Sequence, residues 1–231
     1  NRLCCNYFKD RLARFYGTVV NLAIANDWMH KNPFAGIRFQ EKEVIREVLT
    51  KEEIERMMCK EFALPRLEYV RDVFIFCVFT GMAYVDVNNL RQEHIVRDNN
   101  DDLWIRKARQ KTNNMCNIPL LKIPQLLMEK YKNHPLCTKT GALLPVPSNQ
   151  KMNSYLKEIA DFCGIQKNLT THTARHTFAT VVALANGVSM ENIAKMLGHS
   201  DIRMTQRYAK VMDSSIMRDM ENVDKLFKSS E

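Results

Sequence analysis

Several features are scarce in this sequence, and each scarcity removes a class of answer. The longest purely apolar run, Val73–Phe79, falls far short of the roughly 20 residues needed to cross a bilayer, so no membrane span is expected. The opening residues Asn1-Arg2-Leu3-Cys4-Cys5-Asn6 lack the apolar stretch and small-residue cleavage site of a secretory signal, which argues against secretion. No C-x-x-C pair occurs, the seven cysteines make an odd count, and the only close pair, Cys4-Cys5, is adjacent and badly placed for a disulfide. A reducing cytoplasm is the compartment that fits. There is no initiator Met, and amphipathic spacing is already running at Leu3, which predicts a piece of something longer. Internal repeats and low-complexity tracts are absent.

What is present is a chain of 231 residues with 45% hydrophobic side chains, enough for one large domain, or one domain plus a fragment, with a proper core. Lys and Arg number 34 against 26 for Asp and Glu, a formal net charge of +8. That balance suits a polyanionic partner without naming it.

The apolar residues Leu3, Tyr7, Leu12, Phe15, Val19 and Leu22 follow helical spacing, so one or two helices are predicted over residues 1–28. Asn26-Asp27-Trp28 and Asn32-Pro33-Phe34 break the pattern, and the charge-rich Glu41–Glu47 reads as a connector. A domain boundary is placed there, giving units 1–45 and 46–231. Thr50-Lys51-Glu52-Glu53 has the form of a capping box, with Leu49 and Ile54 at the positions of a hydrophobic staple. Residues 66–80 read as a buried central helix stopped by Gly81. Between Leu90 and Leu120, short segments around His94-Ile95-Val96, Leu103-Trp104-Ile105 and Asn117-Ile118-Pro119 predict a small antiparallel sheet. Helices are then expected near 124–132, 149–162, 173–186, 190–197 and 201–209. A tail helix over about 213–228 carries Ile216, Met220, Val223 and Phe227 on one face, a narrow stripe suited to docking.

Chemistry concentrates in His172-Thr173-Ala174-Arg175-His176, Leu197-Gly198-His199 and Tyr208. On a helix, His172, Arg175 and His176 stand at i, i+3 and i+4 and share one face, an arrangement fit for an anion; a merely solvated polar face is the plainer alternative. A zinc helix of the H-E-x-x-H type would need Glu where Thr173 stands. His134 and Cys137 read as a loop pair, since no second pair follows at ligand spacing.

The ordered strings THTARHTFAT, MLGHSDIRMTQRYAKV and VFTGMAYVDVNNL resemble the boxes of tyrosine recombinases, the phage-integrase family. The resemblance covers roughly residues 48–212 and has the flavour of integrases from Bacteroides-type mobile elements. It implies a mainly α catalytic domain with a small three-stranded antiparallel sheet (α+β), with residues 1–45 as the C-terminal part of a helical core-binding domain. It also implies transesterification of DNA through a 3′-phosphotyrosyl link and a Holliday junction, with no metal, ATP or other cofactor. The implied partners are double-stranded DNA and three further copies of the chain, a homotetramer joined through the tail helix, in the cytoplasm at the nucleoid.

Residue by residue, the resemblance makes Tyr208 the nucleophile. A phenol with a reference pKa near 10 is ionised only about once in a thousand at pH 7, a deficit of roughly 4 kcal/mol that neighbouring cations must offset. Arg175 would clamp two phosphate oxygens, His172 and His199 would donate hydrogen bonds or move a proton, and Lys111 would protonate the leaving 5′ oxygen. Asp86 and His176 would support the site. The departure is at Thr80-Gly81-Met82-Ala83, where Ala83 stands in place of the family's first catalytic Arg. Arg109, two residues before Lys111 and hence on the same side of a strand, is the proposed substitute; Arg91 and Arg106 are the fallbacks and otherwise DNA contacts. Without a substitute, Ala83 favours a cleavage-impaired DNA-binding relative acting as a regulator.

Overall fold

The computed structural model describes residues 15–34 and 47–209. The chain divides into two compact units between Ile45 and Arg46. Residues 1–14 and the tail predicted over 213–228 lie outside the described residues, as does the connector up to residue 46.

In the first unit, residues 15–25 form helix α1. It stops where Asn26 Nδ2 donates to the Leu22 carbonyl (2.8 Å) and Asp27 adopts φ +57°, so Asn26-Asp27 does end the helix. Phe15, Val19 and Leu22 are exposed while Val20 is buried. The described members of the stripe read from the sequence, Phe15, Val19 and Leu22, are therefore not the covered positions of α1.

The second unit starts at the predicted capping box. Thr50 Oγ1 accepts from Glu53 N (3.2 Å) and Glu53 Oε2 accepts from Thr50 N (2.8 Å), setting α2 (Lys51–Cys59). Leu49 and Ile54 are both buried, as a staple requires. Helix α3 (Pro65–Thr80) runs through the core and is buried nearly all round, which is why its apolar run has no amphipathic period. Gly81 closes it at φ +67°, where an added Cβ would lie 2.7 Å from Leu197 Cδ2.

Within α3, Asp72 ties three helices together. Its carboxylate accepts from Arg71 (2.5 Å), Lys130 (2.7 Å) and the Tyr131 hydroxyl (2.7 Å), and the Arg71 guanidinium also donates to the Met57, Met58 and Lys60 carbonyls at the end of α2. The buried charge is thus fully paired, the condition under which it is tolerated.

After the short α4 (Tyr84–Asn88) and a single 3-10 turn (Gln92–His94), β1 (Ile95–Arg97), β2 (Leu103–Ala108) and β3 (Met115–Pro119) form one antiparallel sheet in the order β1-β2-β3. Ile105 pairs with both Ile95 and Ile118, and Ile105 and Ile118 are fully buried, so one face of the sheet joins the core. His94 precedes the first strand instead of opening it.

The remaining helices are α5 (Lys122–Tyr131), α6 (Pro135–Thr140), α7 (Asn149–Phe162), α8 (Thr171–Thr177), α9 (Met190–Leu197) and α10 (Arg203–Ala209). Helix α5 starts two residues earlier than predicted because Pro124 is accommodated in the first turn, where no intrahelical N–H is needed. Helix α6 corrects the reading of His134 and Cys137 as a loop pair: His134 caps it by accepting from Leu136 N (3.3 Å), and Cys137 is buried inside it. The single helix predicted over 173–186 is α8 followed by a π-helical segment, Phe178–Ala183, and a 3-10 turn, Leu184–Asn186; nothing in the sequence signals that change. No helix among the described residues is long and apolar enough to cross a membrane.

Candidate active site

Arg175 is the centre of the constellation. Helix α8 is fixed at its start by Thr170, whose hydroxyl accepts from Thr173 N (3.2 Å) while its own N–H donates to Thr173 Oγ1 (3.2 Å). At its other end Thr177 Oγ1 accepts from Leu49 N (3.0 Å) and donates to the Thr173 carbonyl (2.8 Å). Between these ties Arg175 points inward and is 4% exposed. Its Nη1 donates to the Gly81 carbonyl (2.7 Å) and its Nη2 to the Leu197 carbonyl (2.6 Å). These are the ends of α3 and α9, where helix dipoles favour a cation. Burial, followed by the nearby Arg109, lowers its affinity for its proton, although a guanidinium remains charged at any ordinary pH.

Gly198 brings the second cation close. As the cap of α9 it takes φ +59°, so successive carbonyls point to different elements. Leu197 O faces Arg175, while Gly198 O accepts from Arg109 Nη1 (3.4 Å) and Asn114 Nδ2 (3.3 Å). A Cβ at residue 198 would lie 2.7 Å from Arg109 Cδ and 2.8 Å from Cys116 Sγ. Glycine is what lets the β2–β3 hairpin approach.

Arg109 does lie in this pocket, but not by the predicted route. Both Arg109 and Lys111 fall beyond the end of β2, Lys111 in the turn itself, so strand alternation does not relate them. Instead the turn folds back, with Arg109 N donating to the Asn114 carbonyl (2.9 Å) and Asn113 N to the Arg109 carbonyl (2.8 Å). Asp86, 6% exposed on α4, holds the turn by accepting from Gln110 N (2.9 Å), and its other oxygen stands 4.0 Å from Arg109 Nε. That Nε is buried without a hydrogen-bond partner. Lys111 is exposed at the turn. Ala83 is the N-cap residue of α4 and supplies no side-chain cap.

His199 follows Gly198 into the site. Its Nε2 lies 3.4 Å from Arg175 Nη2 and its Nδ1 2.8 Å from Thr205 Oγ1. Burial, reinforced by Arg175 and Arg109, pushes its pKa down to about 4, so the imidazole is neutral near pH 7. Tyr208, 9% exposed, packs with Phe178, Ala179, Ala183, Ile193 and Leu197. Its ring lies parallel to His199 at 6.3 Å between centroids (interplanar angle 10°) and 5.2 Å from His176. His176 in turn meets His172 edge-on at 4.7 Å. His172 is exposed, and His176 stands between it and Tyr208.

Tyr208, Arg175, His199, His176, Asp86 and Arg109 therefore converge, and His172 stands at the rim. Arg91 and Arg106 do not join them. Arg91 donates to the Asn88 (3.0 Å) and Leu90 (3.1 Å) carbonyls at the end of α4, and Arg106 is exposed on β2 opposite Asn117. Two polar contributors escaped the sequence reading: Asn114, which carries no motif, and Thr205, whose signal is its position three residues before Tyr208. Among the described residues no group of three His, Cys, Asp or Glu side chains is placed to hold a metal ion.

Comparison with known proteins places the chain among relatives of similar sequence and fold. Among curated relatives, the tyrosine recombinase XerD of Staphylococcus saprophyticus is 40% identical over 95 residues, covering 41% of this chain and 31% of its own length. XerD of Staphylococcus aureus strain N315 is 42% identical over 71 residues, covering 31% of this chain and 24% of that protein. The chain thus spans about a third or less of the relatives it matches. In structure, the Tn1549 transposon integrase in complex with circular intermediate DNA superposes with a TM-score of 0.68 at 17% identity, covering 91% of this chain and 77% of that one. A lambda integrase dimer bound to a COC′ core site gives 0.61 at 18% identity, covering 84% and 69%. Both share the mostly helical fold with its small sheet. Residues 47–215, well over half of the chain, match the phage integrase family, and the chain belongs to that family.

Proposed function

We propose that this chain is the catalytic part of a site-specific DNA recombinase that cuts and rejoins strands through a 3′-phosphotyrosyl intermediate. The observation that carries the reading is the convergence of two guanidinium groups, Arg175 and Arg109, on the Leu197–Gly198 carbonyls, beside a phenol at Tyr208. Among the described residues one carboxylate, Asp86, stands against Arg109 in the pocket. Such a pocket suits a phosphodiester whose charge grows during attack.

Tyr208 Oη attacks phosphorus, the bond to the 5′ oxygen breaks, and the phosphate stays joined to the enzyme, which preserves its energy for rejoining. The phenolic proton leaves by way of the neighbouring imidazoles. Lys111 delivers a proton to the departing 5′ oxygen from the exposed turn. Arg175 and Arg109 neutralise the two non-bridging oxygens, Arg109 filling the role that Ala83 cannot. Asp86 and His176 hold the turn and the tyrosine ring in place.

The lambda and Tn1549 neighbours are DNA complexes, and duplex DNA is the partner we assign. Strand exchange then passes through a Holliday junction held by four copies, with the apolar stripe of residues 216–227 reaching a neighbour.

The test uses nicked duplexes carrying the end sequences of the mobile element from which the chain comes. Wild type is expected to form an SDS-resistant adduct on a 3′ end and Tyr208→Phe none. Salt-sensitive binding without any adduct, persisting when the chain is extended by its upstream region, would replace this reading with a DNA-binding regulator.

A further inference from the structure

Helix α10 is held to the body of the protein by little. Arg203, Met204, Gln206 and Arg207 are exposed, and only Thr205 and Tyr208 turn inward. Tyr208 is held by apolar packing, which fixes depth but not rotation. Among the described residues Thr205, 1% exposed, carries the side-chain hydrogen bond from α10 to the body, its Oγ1 standing 2.8 Å from His199 Nδ1.

The direction of that hydrogen bond follows from the other nitrogen. Arg175 can only donate, so the Nη2 that faces His199 Nε2 at 3.4 Å requires a lone pair there. A neutral ring with its lone pair on Nε2 carries its hydrogen on Nδ1, and Nδ1 donates to Thr205 Oγ1. Thr205 and Tyr208 are three residues apart on one helix and share a face. The hydroxyl that accepts from His199 Nδ1, and so holds the ring whose tautomer Arg175 selects, therefore also sets the rotation of the helix that presents the phenol.

We propose that Thr205 is a positioning residue, a latch that docks the nucleophile helix in the site and holds His199 with a free Nε2 facing Arg175. The latch couples two requirements of cleavage, a correctly placed Tyr208 and an imidazole able to accept at Nε2. This role rests on Tyr208 being the nucleophile, but the hydrogen bond from His199 Nδ1 to Thr205 does not depend on any activity.

The experiment combines long-range 15N–1H NMR of the His199 ring with single-turnover adduct formation on a nicked duplex, in the full chain. Wild type is expected to show a pyrrole-type Nδ1 and a pyridine-type Nε2. Thr205→Val, close in shape but without an acceptor, is expected to leave the Nδ1–H without its hydrogen bond, moving that proton resonance upfield and speeding its exchange, and to form adduct at least 10-fold more slowly at unchanged DNA affinity. Thr205→Ser is expected to restore the hydrogen-bonded Nδ1–H resonance and to cleave within about threefold of wild type. An Nε2–H tautomer in wild type overturns the proposal outright, with no variant needed. So does a valine variant whose Nδ1–H resonance and exchange are unchanged, or one that cleaves within twofold of wild type. If Thr205→Val does not fold, the wild-type tautomer and the serine variant decide. Absence of adduct in wild type would count against the recombinase reading and leave the NMR comparison to judge the latch.

Discussion

Replacing Arg109 with alanine tests whether the hairpin supplies the cation that position 83 lacks. In the structure Arg109 is weakly committed: Nε is buried without a partner, Nη1 makes one 3.4 Å contact, and the carboxylate of Asp86 is 4.0 Å away. Its donors are therefore available to a phosphate. One or two charge-assisted hydrogen bonds, at roughly 1.5–3 kcal/mol each, amount to about 1.5–6 kcal/mol of transition-state stabilisation, or roughly 10- to 20,000-fold in rate. The assay is single-turnover adduct formation on a nicked duplex at saturating protein, with affinity measured separately by anisotropy. Arg109→Ala is expected to lower the rate by that factor with a smaller change in affinity, and Arg109→Lys to fall between, since a point charge cannot hold two oxygens at once. A second signature follows from electrostatics. Arg109 is one of the cations that depress the His199 pKa, so its removal should raise that value as read by NMR titration. Cleavage by Arg109→Ala within threefold of wild type, with Tyr208→Phe inactive, would refute the substitution.

Two other expectations follow from the same pocket. Gly198→Ala forces a side chain into a left-handed backbone, at about 1–2 kcal/mol, and into contact with Arg109 and Cys116, at about 1–3 kcal/mol. A fall in Tm of roughly 5–15 °C together with loss of cleavage is expected, and an unchanged Tm would show that the hairpin can retreat freely. The pH dependence of stability should carry the mark of His199, whose folded pKa of about 4 lies below the ordinary value of 6.5. Above pH 6.5 both states are neutral and its contribution is complete. Between pH 6.5 and 4 the unfolded chain binds a proton that the folded one refuses, so stability falls, and below pH 4 the loss levels off. Urea midpoints measured across this window should drop less steeply for His199→Gln than for wild type; parallel curves would contradict the burial argument.

Local signals in the sequence were the most legible. The Thr50 box, the Gly81 stop and the three short strands are fixed by neighbours within a few residues, and each is found close to its predicted place. The chemical boxes were also readable, because Arg175, His199 and Tyr208 sit at spacings that local helices preserve. What could not be read depends on contacts that no pattern of residue types announces. Arg109 reaches the pocket through Asp86 and Gly198, 23 and 89 residues away in number, not through strand alternation. His134 looked like a loop residue because its capping partner is a backbone N–H, which no residue type announces. Thr205 was invisible for the same reason, its role being defined by a ring nitrogen six residues earlier across a turn.

The tie between Leu49 and Thr177 has a mechanical side. Four bonds join the beginning of the second unit to the region of α8: Leu49 N to Thr177 Oγ1, Asn168 N to Glu47 Oε2 (3.2 Å), and Lys167 Nζ to both the Val48 carbonyl (3.0 Å) and Glu53 Oε2 (2.6 Å). Tension applied to the chain ahead of residue 47 would load these four bonds before it reached the deeper core. The helix that carries Arg175 is thus the first stiff element along that line of force. In an optical-trap experiment pulling from the N-terminal side, the site should lose its alignment at forces too small to unfold the sheet or α3.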